Sequence, residues 1–126
     1  MPKNVPVLPG IEAGTLPFSQ VIEANGFVFL AGQVGSAPGE HGAVGGGIAA
    51  QTRQMLDNVG RLLRAVGLDY RDVVKSTIYL RDFADFDAMN QVYRTYFPTD
   101  PPTRATVGVT ALASDFGVEI EVMAAR

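Results

Sequence analysis

The chain has 126 residues, with Lys+Arg 10 against Asp+Glu 13, a net charge of −3, one histidine and no cysteine. That length suits a single domain spanning 1–126, and 47% hydrophobic residues against 18% charged exclude disorder driven by low hydropathy. Without cysteine there are no disulfides, thiolate nucleophiles or cysteine-held zinc or iron–sulfur sites, and one imidazole cannot build a multi-histidine metal centre.

The acidic balance also argues against a surface that tracks nucleic-acid phosphates. Met1-Pro2-Lys3-Asn4 opens no apolar leader segment, and no apolar run approaches the roughly 18 residues of a membrane span. A cytoplasmic protein without membrane or nucleic-acid partners is expected. Residues 1–17 hold Pro2, Pro6, Pro9 and Pro17 and read as an extended arm or short edge strand. Val21-Ile22-Glu23-Ala24, then Asn25-Gly26, then Phe27 to Ala31, is a hairpin signal, because Asn-Gly supplies both positive-φ positions of a type I′ turn. Residues 34–47 are glycine-rich loop.

A helix is predicted from Ile48 to Ala65, with Met55, Leu56, Val59, Leu62, Leu63 and Val66 at three- and four-residue spacing and Gly67 as its stop. Val73 to Leu80 reads as a strand. Asp82 or Asp85 is placed to cap a second helix with the face Phe86, Met89, Tyr93, Tyr96 and Phe97, ended by Pro98. Thr103–Val109 and Val118–Ala124 close the chain as strands. The order β-β-α-β-α-β-β packs most economically as a mixed sheet with both helices on one face, an α+β fold.

Alternation assigns faces within the last two strands. Ala105, Val107 and Val109 share one side against Arg104 and Thr106, and Val118, Ile120, Val122 and Ala124 share one against Glu119 and Glu121. If the apolar sets meet the helices, Arg104 and both glutamates lie together on the helix-free face. Phe27 and Phe29 oppose Val28 and Leu30, so apolar bulk also reaches the second face, which is expected to meet another subunit.

Several stretches together resemble the RidA/YjgF family of reactive-intermediate deaminases: Leu16-Pro17-Phe18-Ser19-Gln20, Ala31-Gly32-Gln33-Val34, residues 51–59 and 74–80, Phe86-Asp87-Ala88-Met89-Asn90, Pro102-Thr103-Arg104-Ala105-Thr106-Val107 and Val118-Glu119-Ile120-Glu121. The resemblance implies a chorismate-mutase-like fold, a homotrimer with intersubunit clefts, no cofactor, and hydrolysis of 2-imino acids to 2-keto acids and ammonia. Residue by residue, it makes Arg104 the clamp for the substrate carboxylate and Glu119 the holder of the attacking water. It places Asn90, Phe18, Ala31 and Thr106 around the ligand. Phe18 stands where many members have Tyr, Ala31 where they have Ser, and Thr106 where they often have Cys, which puts the usual substrate preference in question.

The chemistry suits the residue types. A guanidinium grips a carboxylate with two parallel N–H···O bonds and fixes the plane of the adjoining C=N. A carboxylate beside the attacking water accepts its proton and returns it to nitrogen. Glu121 reads as structural, His41 as a solvated loop residue, Lys75 as an ordinary charged residue, and Asp82, Asp85 and Asp87 as capping and dipole partners, with no metal site among them. The competing reading is a non-catalytic trimer that binds small carboxylates as a sensor. Ribonuclease chemistry is disfavoured by the charge balance and the single histidine, and a chorismate mutase needs more cations than Arg104 alone.

Overall fold

The computed structural model describes residues 2–126. Val21–Ala24 (β1) and Phe27–Leu30 (β2) form the predicted hairpin, with Asn25 at φ 53° and Gly26 at φ 81°, the left-handed pair a type I′ turn requires. A two-residue strand, Gln33–Val34 (β3), follows at the border of the segment read from sequence as loop. Then come Gly47–Ala65 (α1), Val73–Leu80 (β4), Phe86–Tyr96 (α2), Thr103–Gly108 (β5) and Val118–Ala125 (β6).

The six strands make one sheet in the order β1-β2-β6-β4-β5, with β3 also pairing β6. Only β4 and β5 run parallel, joined by the crossover through α2. β2 and β3 pair in succession along β6, β2 with residues 123–125 and β3 with residues 119–120. From Phe29 to Gln33 four residues advance opposite three of β6, from Met123 to Ile120. One extra residue therefore forms a bulge around Leu30–Gly32, which reverses the facing of the side chains beyond it.

Both helices cover one face. Met55, Leu56, Val59 and Leu63 of α1 and Met89 of α2 are fully buried against Ile78, Leu80, Val118, Ile120 and Val28. Full burial of such side chains stabilises by about 1.5–3 kcal/mol each. α1 ends as its sequence indicates: the Leu68 N–H donates to the Leu63 carbonyl at 2.9 Å and the Gly67 N–H to that of Arg64 at 3.1 Å. This Schellman arrangement needs the left-handed φ of 79° that Gly67 supplies.

Of the two readings of residues 1–17, the arm holds: it makes a single bridge, Asn4 to Glu23, and no strand among the described residues. Two expectations are corrected. The Asp82 side chain accepts from Ala84 N–H and caps a 3₁₀ turn at Phe83–Asp85, while Asp85 precedes α2 without a side-chain cap. The second concerns the site. Arg104 and Thr106 lie on the helix face, and Ala105 and Val107 on the helix-free one, the reverse of the face assignment made from alternation. The register decides this. Ser76 and Ile78, both buried under the helices, pair with Arg104 and Thr106, whereas Thr77 and Tyr79 pair with Ala105 and Val107 on one side and with Glu121 and Glu119 on the other. β5 is an edge strand, and its Val107 stays 40% exposed. Glu119 and Glu121 do occupy the helix-free face, alongside exposed Phe27 and Phe29.

Gly67→Ala should lower stability by about 1 kcal/mol, the cost of a β-carbon in the left-handed region. Its β-carbon meets no closer neighbour than Arg126 Nη1 at 4.0 Å, so packing adds nothing. Urea unfolding of the variant checks this through a lowered midpoint at unchanged slope.

Candidate functional site

Arg104 projects from the exposed edge of the sheet toward α2. Its Nη1 donates to Asn90 Oδ1 at 2.7 Å, and its guanidinium carbon lies 4.6 Å from the Tyr93 ring centre and 5.7 Å from that of Phe86. Phe86, Asn90 and Tyr93 recur at i, i+4 and i+7, so one helical stripe presents all three to the arginine. Such cation–π contacts are worth about 0.5–2 kcal/mol. Tyr93 is held in turn by a 2.7 Å hydrogen bond between its hydroxyl and that of Ser76. Burial pushes the Tyr93 phenol above its ordinary pKa, against the lowering influence of Ser76 and Arg104, so it stays neutral beside the guanidinium.

Every group that orients Arg104 is therefore uncharged. Among the described residues the single ion pair joins Arg126 to Glu23, and no carboxylate neutralises Arg104. A half-buried guanidinium with spare N–H donors is a receptor for an oxyanion. A cavity of about 220 Å³ opens beside it, lined by Asn90, Tyr93, Arg94, Phe97, Pro101 and Pro102. That volume suits a small acid, being less than the roughly 300–1,000 Å³ of sites for drug-sized ligands.

Glu119 stands elsewhere. It is half-buried on the helix-free face, opposite Tyr79 on β4 and Val34 on β3. Burial raises its pKa, and the charge of Glu121 raises it further. Glu121 is itself held by the Tyr79 hydroxyl, which donates to its Oε1 at 2.6 Å. A concavity of about 280 Å³ on this face includes Phe29, Lys75, Thr77, Glu121 and Met123.

Within one chain, then, the residues predicted from sequence fall into separate groups. Arg104 and Asn90 are brought together, with Thr106 two residues along the same side of β5. Glu119 lies on the opposite face, across β4. Ala31 is half-buried at the end of β2, its N–H bonded to the Gln20 carbonyl at 2.9 Å. Phe18 is 55% exposed and borders a 360 Å³ hollow under the arm, the largest cavity named here but one without an ionic side chain other than Glu12. The chemistry points instead to the smaller hollow beside Arg104.

Sequence reading missed four participants. Phe86 and Tyr93 belong to the core face of α2, but they also sandwich the arginine, a role that the 86–90–93 spacing could have suggested. Tyr79 read as packing and instead holds Glu121. Gly32, close against Glu119, carried no signal that periodicity could detect. Among the described residues no group of three or more His, Cys, Asp or Glu is placed to hold a metal ion, and no helix is long and apolar enough to cross a membrane.

The chain is thus a two-helix, mixed-sheet α+β domain with an unneutralised arginine beside a small cavity. The chain belongs to the family described as Endoribonuclease L-PSP, the YjgF/RidA group, whose sequence profile matches residues 11–126. It is 38% identical over 108 residues to the human 2-iminobutanoate/2-iminopropanoate deaminase, covering 86% of this chain and 79% of that one. It is 45% identical over 108 residues to the Arabidopsis thaliana Reactive Intermediate Deaminase A, chloroplastic, covering 86% of this chain but only 58% of the plant protein. Among solved structures, YyfA of the Rid family from Yersinia pestis superposes with a TM-score of 0.91 at 34% identity, covering 99% of this chain and 100% of its own. Sequence and fold thus agree on an imine-deaminase-like family.

The raised pKa of Glu119 makes a prediction about stability. Its proton binds the folded chain more tightly than the unfolded one, so its contribution is favourable at low pH and is lost as pH rises through the raised value. In the unassembled chain Glu119→Gln should therefore raise the melting temperature at pH 7, and the gain should vanish below about pH 4, where the unfolded-state carboxyl is also protonated. Thermal melts at the two pH values check it.

Proposed function

We propose that the protein hydrolyses small 2-imino acids to 2-keto acids and ammonia, with Arg104 gripping the substrate carboxylate and Glu119 of a neighbouring copy activating water. The observation that carries this reading is the Arg104 guanidinium, oriented only by the neutral groups of Asn90, Tyr93 and Phe86 and open to a small cavity. The names of the related deaminases supply the reaction class.

Water adds to the imine carbon as Glu119 takes one of its protons and passes it to nitrogen, giving a neutral tetrahedral carbinolamine. Glu119 then takes the hydroxyl proton and delivers it to the amino group, so that C=O forms as the C–N bond breaks and ammonia leaves. The substrate is reactive already, so holding its plane against a positioned water contributes most of the acceleration. The raised pKa of Glu119 brings the carboxylate nearer to neutrality, where a base can both take and return a proton. Phe18 supplies an apolar wall in place of a hydroxyl, Ala31 leaves space, and Thr106 offers its main-chain groups. The pocket then favours a more apolar side chain on the substrate.

Two observations support a site shared between copies. Arg104 and Glu119 of one chain lie on opposite faces of the sheet. The face with Glu119 also exposes Phe27 (43%), Phe29 (42%) and Val107, an apolar surface suited to another subunit. An interface joining the Arg104 edge of one copy to the Glu119 face of the next uses two different surfaces, and such head-to-tail contacts close into rings. A homotrimer is the ring the family resemblance implies.

Coupling the purified protein to an amino-acid oxidase, and scanning which amino acids yield imines it hydrolyses, tests the activity. Arg104→Ala should lose at least about a hundredfold in kcat/KM with the fold retained, because each charged hydrogen bond of a bidentate grip is worth about 1.5–3 kcal/mol. Retained activity, or a flat response across all imines, overturns the proposal. Co-assembling inactive Arg104→Ala and Glu119→Gln chains should restore about a quarter of wild-type activity, since a head-to-tail trimer then regains intact mixed sites. No recovery would mean that both groups act from the same chain.

A further inference from the structure

We propose that Gly32 is the positioning residue of the Glu119 carboxyl: the side chain missing at 32 is the space the carboxyl occupies. A β-carbon built on Gly32 overlaps Oε2 of Glu119 and stands 3.2 Å from its Cδ and 3.6 Å from its Cγ. Its three nearest neighbours all belong to that one side chain. Other crowded glycines have different causes. At Gly35 a β-carbon would strike the main chain of Gln51, at 2.8 Å from its Cα, and at Gly60 the ring of Tyr70. Those two glycines serve packing, whereas Gly32 serves a carboxyl that can move.

The backbone removes the other explanation. Gly32 is absent from the left-handed glycines among the described residues, so an L residue is conformationally acceptable there. The need for glycine is therefore spatial. Its place in the sheet accounts for the niche. Gly32 sits at the bulge between β2 and β3, where the extra residue turns the strand and brings bare main chain against the helix-free side of β6. The niche makes the carboxyl half-buried while leaving it near Glu121, which Tyr79 holds in place. Within its own chain Glu121 on the same strand and the Tyr79 phenol on β4 are the titratable groups that face it, and Gln33 and Val34 on β3 add none; across the proposed interface the Arg104 guanidinium of the neighbouring copy is the one cation, in the variant as in the parent.

A methyl group at 32 thus has one easy outcome: the Glu119 carboxyl swings out toward water while the fold stays. The inference rests on Glu119 as the water-activating group, so its test has a readout independent of turnover. Titrating the Glu119 carboxyl by carbon NMR should show its midpoint falling toward the ordinary glutamate range in Gly32→Ala. With the imine substrate, kcat should fall by about tenfold to a hundredfold, part of what a positioned base supplies. KM should stay within about twofold, because the carboxylate grip is untouched. The acid limb of the kcat profile should move to lower pH.

A titration midpoint unmoved by Gly32→Ala overturns the niche, whatever happens to turnover. A moved midpoint with full turnover in Glu119→Gln upholds the niche and overturns Glu119 as the base. Should Gly32→Ala fail to fold, adding Glu119→Ala removes the colliding side chain and should restore folding; a double variant that stays unfolded overturns the proposal.

Discussion

The structure depends on a guanidinium whose partners carry no charge. Arg104 is aimed by an amide and two aromatic rings, and no carboxylate of its own chain comes within ion-pair reach among the described residues. A carboxylate in the place of Asn90 would satisfy the arginine and leave little affinity for a ligand acid. Asn90 instead takes one N–H and sets the plane, and Tyr93, kept neutral by burial, supports the flat face of the group. The arginine lines the cavity with no carboxylate among the described residues paired to it.

Arg104 lies on the helix side of an edge strand and Glu119 on the other face of the sheet. β4 separates them, with Ser76 and Ile78 pairing toward Arg104 and Thr106, and Thr77 and Tyr79 pairing toward the glutamates. A single protomer therefore presents Arg104 and Glu119 on different surfaces. The exposed phenylalanines beside the acidic half make that face costly to leave in water. In the proposed head-to-tail ring, burying that face and completing the site are one event.

The acidic half shows a conflict between stability and chemistry. A half-buried carboxyl next to a second one destabilises the folded chain at neutral pH, yet the same surroundings raise its pKa toward the range where a base works. Tyr79 keeps Glu121 where its charge is felt, and the bulge at Gly32 makes the space.

What the sequence determined by itself was local. Asn25-Gly26 specifies its turn because few residues tolerate two successive left-handed positions. Gly67 ends α1 for the same kind of reason, and the apolar stripe from Met55 to Leu63 marks the buried side of that helix. Alternation in Val118–Ala124 correctly set Glu119 and Glu121 apart from the core. The same alternation failed for β5, since a strand's period separates two faces without saying which one meets the helices. Only pairing with the buried residues of β4 decided that Arg104 turns toward α2. The bulge, the two-residue β3 and the slot at Gly32 were likewise beyond reach, because each exists only where distant segments meet. Turns and stripes are properties of neighbours in the chain; the facing of Arg104 and the lodging of Glu119 are properties of register between strands far apart in it.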